Sequence, residues 1–445
     1  MGSPWWALLL FLLFDIYITG YIPFTWWKKS KSRTVRTVMS WVDAIVYALI
    51  LVYFIFNFVG QNYQIPSSSL EKTLLTGDYL WVNKLTYGPR VPMTPVHFPL
   101  VHNTLPIINT KSYLDWPSAG YKRLKGLRDV ELNDIAVFNF PAGDTVALNF
   151  ENSSEYYDLL VKRYGWKRVN TDRATFGEVI YRPVDRRVNF VKRVVGLPGQ
   201  RIAIHDDVIY LDGKAQAQPE NVQFMYFAAF SAPLDPEQCH ELGIALEDVQ
   251  IMNPDNVETA EILKAIPGSE RASSVYTLPM TASMIETLSA DGRLLGYVKW
   301  NGDTNGQSFL FPDELADNWT IADYGGENGI LIPRKGMTVP LTYDNWLTYQ
   351  RVIRNYEGHS DARWDGTQVV IEGKPAKDYT FQMDYYFMMG DNRHLSQDSR
   401  FWGFVPEDHI VGTPMMVLIS FDKDRSIFNG GIRWNRILKD ANPEK

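Results

Sequence analysis

Three short segments hold the side chains best suited to chemistry: Ile65–Leu70 (IPSSSL), Phe190–Gly199 (FVKRVVGLPG) and Phe387–Pro406 (FMMGDNRHLSQDSRFWGFVP). The first offers a serine cluster, Ser67, Ser68 and Ser69, and the second a lysine, Lys192, inside an apolar run. A serine hydroxyl is a weak nucleophile and needs a base beside it. A lysine serves as that base only if its amine is neutral near pH 7. Its pKa must then fall by about 3 from the free value, and burial among apolar groups does this by penalising the charged form. Lys192 has Phe190, Val191, Val194 and Val195 around it. On a strand it shares a face with Phe190 and Val194, while Arg193 points to the other side. Each segment also has a plain structural reading. Lys192 fits a surface lysine on an edge strand, the serines fit a loop or helix cap, and Asp391, Arg393, Asp398 and Arg400 fit a tight loop held by ion pairs.

Such a pair of residues must be held by a folded frame, and the chain is large enough to build one. It has 445 residues, 45% of them hydrophobic and 14% aromatic, which argues for packed domains rather than disorder. A net charge of −7 argues against nucleic acid as the main partner, because phosphate binding needs a basic face. Cys239 is the one cysteine, so no disulfide forms within the chain, and it reads as a small buried side chain. No metal-ligand spacing of cysteine or histidine is present, and no metal or cofactor is expected.

Two apolar stretches, Trp5 to about Ile22 and Trp41 to about Val59, approach the ~20 residues that cross a hydrocarbon core as helix. Trp5, Trp6, Trp26 and Trp27 bracket the first like an interfacial belt. A cleaved signal peptide fits less well, since no positive residue precedes the run and a second span follows. Lys28, Lys29, Lys31, Arg33 and Arg36 lie between the spans, and the next basic residue is Lys72. The positive-inside rule puts that loop in the cytoplasm and everything after Val59 outside. Asp15 is expected to pack against a polar group of the second helix, and Asp43 to sit at that helix's N-terminus.

From Gln61 onward, short alternating apolar runs punctuated by Gly and Pro predict an antiparallel β domain, with Asp212–Gly213 as a hairpin turn. Helix starts are read at Asn152 with Glu155, Asp235–Pro236 with Gln238, and Asp255 with Glu258. Gln216–Glu357 reads as a folded insertion and Tyr87–Val130 as an ordered loop. The expected division is residues 1–60 (two spans and a basic loop), 61–215 (first part of a β core), 216–357 (inserted α+β region) and 358–445 (second part of the core).

In order and spacing, IPSSSL, LxxGD at Leu74–Asp78, the strand at Asp134–Phe138, KRVVGLPG and MGDNR…DSRFWGFVP resemble the bacterial type I signal peptidases. These are membrane-bound serine proteases that remove signal peptides from exported preproteins. The resemblance implies a mainly β fold: two transmembrane helices, then a curved antiparallel β catalytic assembly with a β-rich cap and a large insertion. It implies Ser69 as nucleophile and Lys192 as general base. It implies Ser67, with the Ser69 amide, as oxyanion donors, and Ser396 as the group orienting the lysine. Tyr63, Ile65, Pro66, Phe190 and Val191 would bind substrate with small residues at P1 and P3, and Asp391, Arg393, Asp398 and Arg400 would shape the site. The implied partners are signal peptides, the lipid bilayer and possible secretion-machinery contacts. The implied place is the cytoplasmic (inner) membrane, multi-pass, with the catalytic domain on the outer, periplasmic side. Leu70 replaces the usual methionine, Lys72 the usual proline, and His394–Leu395 a more polar pair. Phe401–Trp402 would either dip into the lipid interface or pack in the core. The competing reading is an envelope binding or assembly factor whose protease site has decayed; a Ser/Lys protease with another substrate is a third.

Overall fold

The computed structural model describes residues 14–21, 25–98, 100–105, 110–151, 156–253, 257–301, 310–312, 315–316, 319–426, 428 and 430–443. Helix α1 spans Arg33–Phe54 and continues in π form through Ile55–Val59. Ser32 caps it, its hydroxyl accepting from the Val35 amide. Among the described residues this is the one helix long and apolar enough to cross a membrane: it has 27 residues, and an 18-residue window of it reaches a mean hydropathy of 2.2. Helix begins at Arg33 rather than near Trp41, so Asp43 lies inside it and not at its N-terminus. The first expected span lies largely outside the described residues. Asp15 is partly buried and accepts hydrogen bonds from Thr19 Oγ1 and the Tyr21 amide.

The chain then builds a curled seven-stranded antiparallel sheet. Its strands are β1 (Gly60–Gln64), β2 (Asp78–Asn83), β3 (Ile135–Asn139), β4 (Asn189–Gly196), β5 (Tyr385–Met389), β6 (Val405–Pro406) and β7 (Ile410–Ser420). Their spatial order is β1-β2-β7-β3-β4-β5-β6. The β2–β7 pairing shifts register at two points, Tyr79/Leu80 and Trp81/Val82, and such bulges bend a sheet and sharpen its twist. β1, the edge, pairs with β2 alone. Every residue of β3 is buried, and so is β4 from Lys192 onward, while Asn189–Val191 are only partly buried.

Two further bodies pack around this sheet. Arg201–His205 and Val208–Leu211 form a hairpin in a second sheet, whose core joins Ile202 and Ile204 to Trp346, Tyr349, Phe387 and Phe404. The predicted turn that leads on to Lys214–Ala215 is present: Asp212 and Gly213 have φ of 50° and 76°, the left-handed pair a two-residue hairpin requires. Within 216–357, strands Gln250–Ile251, Ser274–Met280, Phe224–Phe230 and Leu294–Lys299 make a four-stranded antiparallel sheet with its own apolar core. Asp235 and Gln238 form the expected capping box on the Pro236–Glu241 helix. Asn152, Glu155 and Asp255 lie outside the described residues.

Candidate active site

Ser69 stands in the short turn Ser68–Leu70, half-exposed, between buried Ser68 and Leu70. The turn is tied from behind: the Asn392 amide donates to Ser69 O at 3.1 Å and Asn392 Nδ2 to Ser68 O at 3.3 Å. Gly390 makes the close approach possible. A Cβ there would lie 2.3 Å from Ser396 Oγ and 2.5 Å from Ser69 O, so no side chain fits.

Lys192 reaches the same point from β4, with Ala136 of β3 as its cross-strand partner. Strand alternation sets it between Phe190 and Val194, which with Ala136 belong to a cluster around Phe138, Phe140 and Trp402. It is 3% exposed, so the surface-lysine alternative does not hold. Its Nζ lies 2.5 Å from Ser69 Oγ. Burial drives the Lys192 pKa down to about 8, against the opposing pull of the Asp398 and Asp391 carboxylates. Ser67 is exposed, and its hydroxyl stands 3.5 Å from Ser69 Oγ. Ser396 is buried against Gly390, and its hydroxyl donates to Gln397 O at 3.4 Å.

The acidic and basic residues of the third segment form a buried frame. Asp391 accepts from Arg193 Nε and Nη2 at 2.8 and 2.7 Å and from Thr73 Oγ1 at 2.7 Å, joining β4 to the segment behind the serine turn. Asp398 accepts from Arg400 Nε and Nη2 at 2.9 and 2.8 Å and from the Gly390 amide at 3.2 Å. Burial alone would push the Asp398 carboxyl up; the Arg400 guanidinium and these hydrogen bonds hold it below the usual range. Arg393 is buried without a carboxylate in bidentate contact, and desolvation lowers it to about 10. Trp402 is 1% exposed and packs edge-on against Phe140 and Phe190 and tilted against Phe138, so of the two readings of Phe401–Trp402 the tryptophan takes core packing.

A cleft of about 420 Å³ runs past the serine and lysine, bordered by Tyr63, Ile65, Pro66, Phe190 and Val191. β5 pairs with β4 only from Arg193 onward, which leaves the other edge of Asn189–Lys192 facing this space.

A family model described as "Signal peptidase, peptidase S26" matches residues 38–228 and 341–419. The chain belongs to this family. It is similar to the signal peptidase I of Buchnera aphidicola (strain APS), 23% identical over 92% of this chain and 83% of the relative. It is equally similar to that of Haemophilus influenzae, 23% identical over 92% of this chain and 78% of the relative. A signal peptidase I of Helicobacter pylori (strain J99) is 35% identical over 43% of this chain and 68% of the relative. As a member of the peptidase S26 family, the protein is a serine endopeptidase.

The departures from the family's motifs acquire a reason here. Lys72 has φ of 73°, a conformation the proline ring cannot adopt, and its Nζ donates to Leu242 O and, at 2.9 Å, to Gly243 O. His394 accepts from the Met225 amide through Nδ1 at 3.2 Å and meets Asp207 Oδ1 through Nε2 at 3.1 Å, with Trp300 and Phe224 edge-on to its ring. Leu242, Gly243, Met225, Phe224 and Trp300 all lie in the 216–357 region, so the two substituted positions are among the places where that region holds the frame around the site. Gly390 and Asn392 were not singled out as site residues in the sequence; their signal was their place in MGDNR, between residues that were.

Proposed function

We propose that this protein is a membrane-anchored endopeptidase that cleaves signal peptides from exported preproteins after a small P1 residue, using Ser69 and Lys192. The observation that carries this reading is the 2.5 Å approach of a buried, pKa-lowered lysine to a half-exposed serine at the head of a cleft open to a strand-like peptide. The substrate enters extended between β1 and the Asn189–Lys192 edge, adding a strand, with P1 and P3 side chains against Ile65, Pro66 and Val191 and against Tyr63 and Phe190. Neutral Lys192 takes the Ser69 proton as Oγ attacks the P1 carbonyl. The Ser69 amide and the Ser67 hydroxyl donate to the oxyanion. The lysine passes its proton to the departing amine, and then activates the water that hydrolyses the acyl-enzyme. Ser396 orients the amine, and the Arg193–Asp391 and Arg400–Asp398 pairs, with Arg393, hold the loop that carries it.

In this reading the chain crosses the cytoplasmic membrane twice, with residues 1–60 as the anchor and its basic loop inside. The catalytic core, 61–215 and 358–445, and the 216–357 region stand on the outer side. Anchoring places the site at the lipid surface where the signal peptide is embedded, which restricts orientation and raises encounter. Incubating the purified full chain in lipid vesicles with a preprotein tests the proposal. Release of a mature protein starting just after a small residue, absent with Ser69→Ala, is expected; an intact preprotein with the unaltered chain refutes it.

A further inference from the structure

Between Asn139 and Asn189, directly opposed across β3 and β4, the chain leaves the sheet and returns. The excursion has a small fold of its own. Strands Thr145–Ala147 and Val179–Tyr181 pair, helices Tyr157–Tyr164, Trp166–Thr171 and Arg173–Phe176 follow one another, and Ala147, Leu160, Val169 and Phe176 form a core. This body also borders the cleft, through Thr145, Val146, Ala147, Phe150, Tyr156 and Tyr157. Ala147 turns its side chain into the small core, so strand alternation aims Val146 the opposite way, and Val146 belongs to none of the apolar clusters. Tyr156 packs edge-on against Phe140, 5.5 Å between ring centres, and both rings border the cleft.

The position of this wall along the groove follows from the strand rise. Asn189 is three residues before Lys192, about 10 Å along β4 at roughly 3.3 Å per residue. An extended substrate whose P1 residue lies at Lys192 covers that distance with about three residues. The wall therefore begins where P3 ends.

Building on the proposed cleavage reaction, we infer that Val146, Ala147, Phe150, Tyr156 and Tyr157 of this excursion form a subsite for an apolar side chain at P4 or P5, with Val146 at its surface. Around Val146 its lining is aliphatic and aromatic, with Thr145 and Glu151 at the border, and the Glu151 carboxylate is already paired with Arg182 Nη2 at 2.8 Å; it therefore accepts leucine or phenylalanine and disfavours a charged side chain, whose desolvation it does not compensate. Recognition thus extends beyond the two small residues nearest the scissile bond.

The test uses the full chain in vesicles and quenched peptides with alanine at P1 and P3. One peptide starts at P3, and the others vary P4 and P5 among leucine, aspartate and lysine. The unaltered protein is expected to favour leucine over either charge by about ten-fold or more in kcat/KM. Val146→Glu should shift preference toward lysine and Val146→Lys toward aspartate, with both variants cleaving the peptide that starts at P3 like the unaltered protein. Opposite shifts from two charges at one position do not arise from unfolding. Flat preference at P4 and P5 in a protein that still cleaves after alanine overturns this inference alone, as do variants whose preferences do not diverge. Failure to cleave any of the peptides overturns the underlying reading instead.

Discussion

The ionisation of Lys192 sets a quantitative expectation for how activity depends on pH. Its pKa of about 8 arises from burial and is opposed by two carboxylates. At pH 7 about one molecule in ten then carries the neutral amine, against about one in three thousand at the ordinary value near 10.5. The gain in competent enzyme is roughly 300-fold, equivalent to about 3 kcal/mol. In the free enzyme, kcat/KM for a peptide with alanine at P1 and P3 should therefore rise about ten-fold per pH unit from about pH 6, bend near 8 and level off above it. The same burial costs stability. The folded pKa lies below the unfolded one, so between pH 8 and about 10.4 the native chain holds fewer protons than the unfolded chain, and stability climbs across that window. Below pH 8 the cost is fully present. Lys192→Met, which removes the charge and keeps the stem, should make the inactive protein more resistant to denaturant at pH 7, by up to about 3 kcal/mol. A rate profile that is flat from about pH 6 to about pH 8, or that bends near 10.5, refutes the burial argument, as does a Lys192→Met variant less stable than the parent.

Three substitutions probe the frame. Gly390→Ala places a Cβ 2.3 Å from Ser396 Oγ and 2.5 Å from Ser69 O, and should lower kcat by about 10²-fold or more, as a misplaced reacting group does, with a reduced Tm in a thermal melt. Ser67→Ala removes the hydroxyl proposed as an oxyanion donor; in that reading it should lower kcat about 10²–10³-fold with little change in KM, read from steady-state peptide cleavage. Lys72→Pro restores the family's usual residue but forces φ from 73° toward about −65° and deletes two hydrogen bonds to the 216–357 region; a destabilisation of about 3 kcal/mol or more is expected in denaturant titration.

Much of the catalytic frame was legible because its determinants are local. Alternation in Phe190–Val195 fixed which face Lys192 shares, and the apolar run made that face dry. The Asp212–Gly213 turn and the Asp235 capping box depend on residues two or three apart, and both formed as expected. What escaped reading depends on contacts far apart in sequence. Asn392 holds the serine turn from more than 300 positions away, and Gly390 matters only because Ser69 and Ser396 converge on it. Lys72 and His394 looked like drift from a motif until Leu242, Gly243 and Met225 were placed beside them. Helix α1 runs eight residues farther back than its apolar stretch, because Ser32 supplies a cap and the intervening residues tolerate helix.

The direct test of the Ser69–Lys192 account is preprotein cleavage by the purified full chain with Lys192→Ala, folded by circular dichroism and followed by mass spectrometry of the products. The account predicts that the signal peptide stays attached while the unaltered chain releases it. Release at a comparable rate by the variant contradicts it.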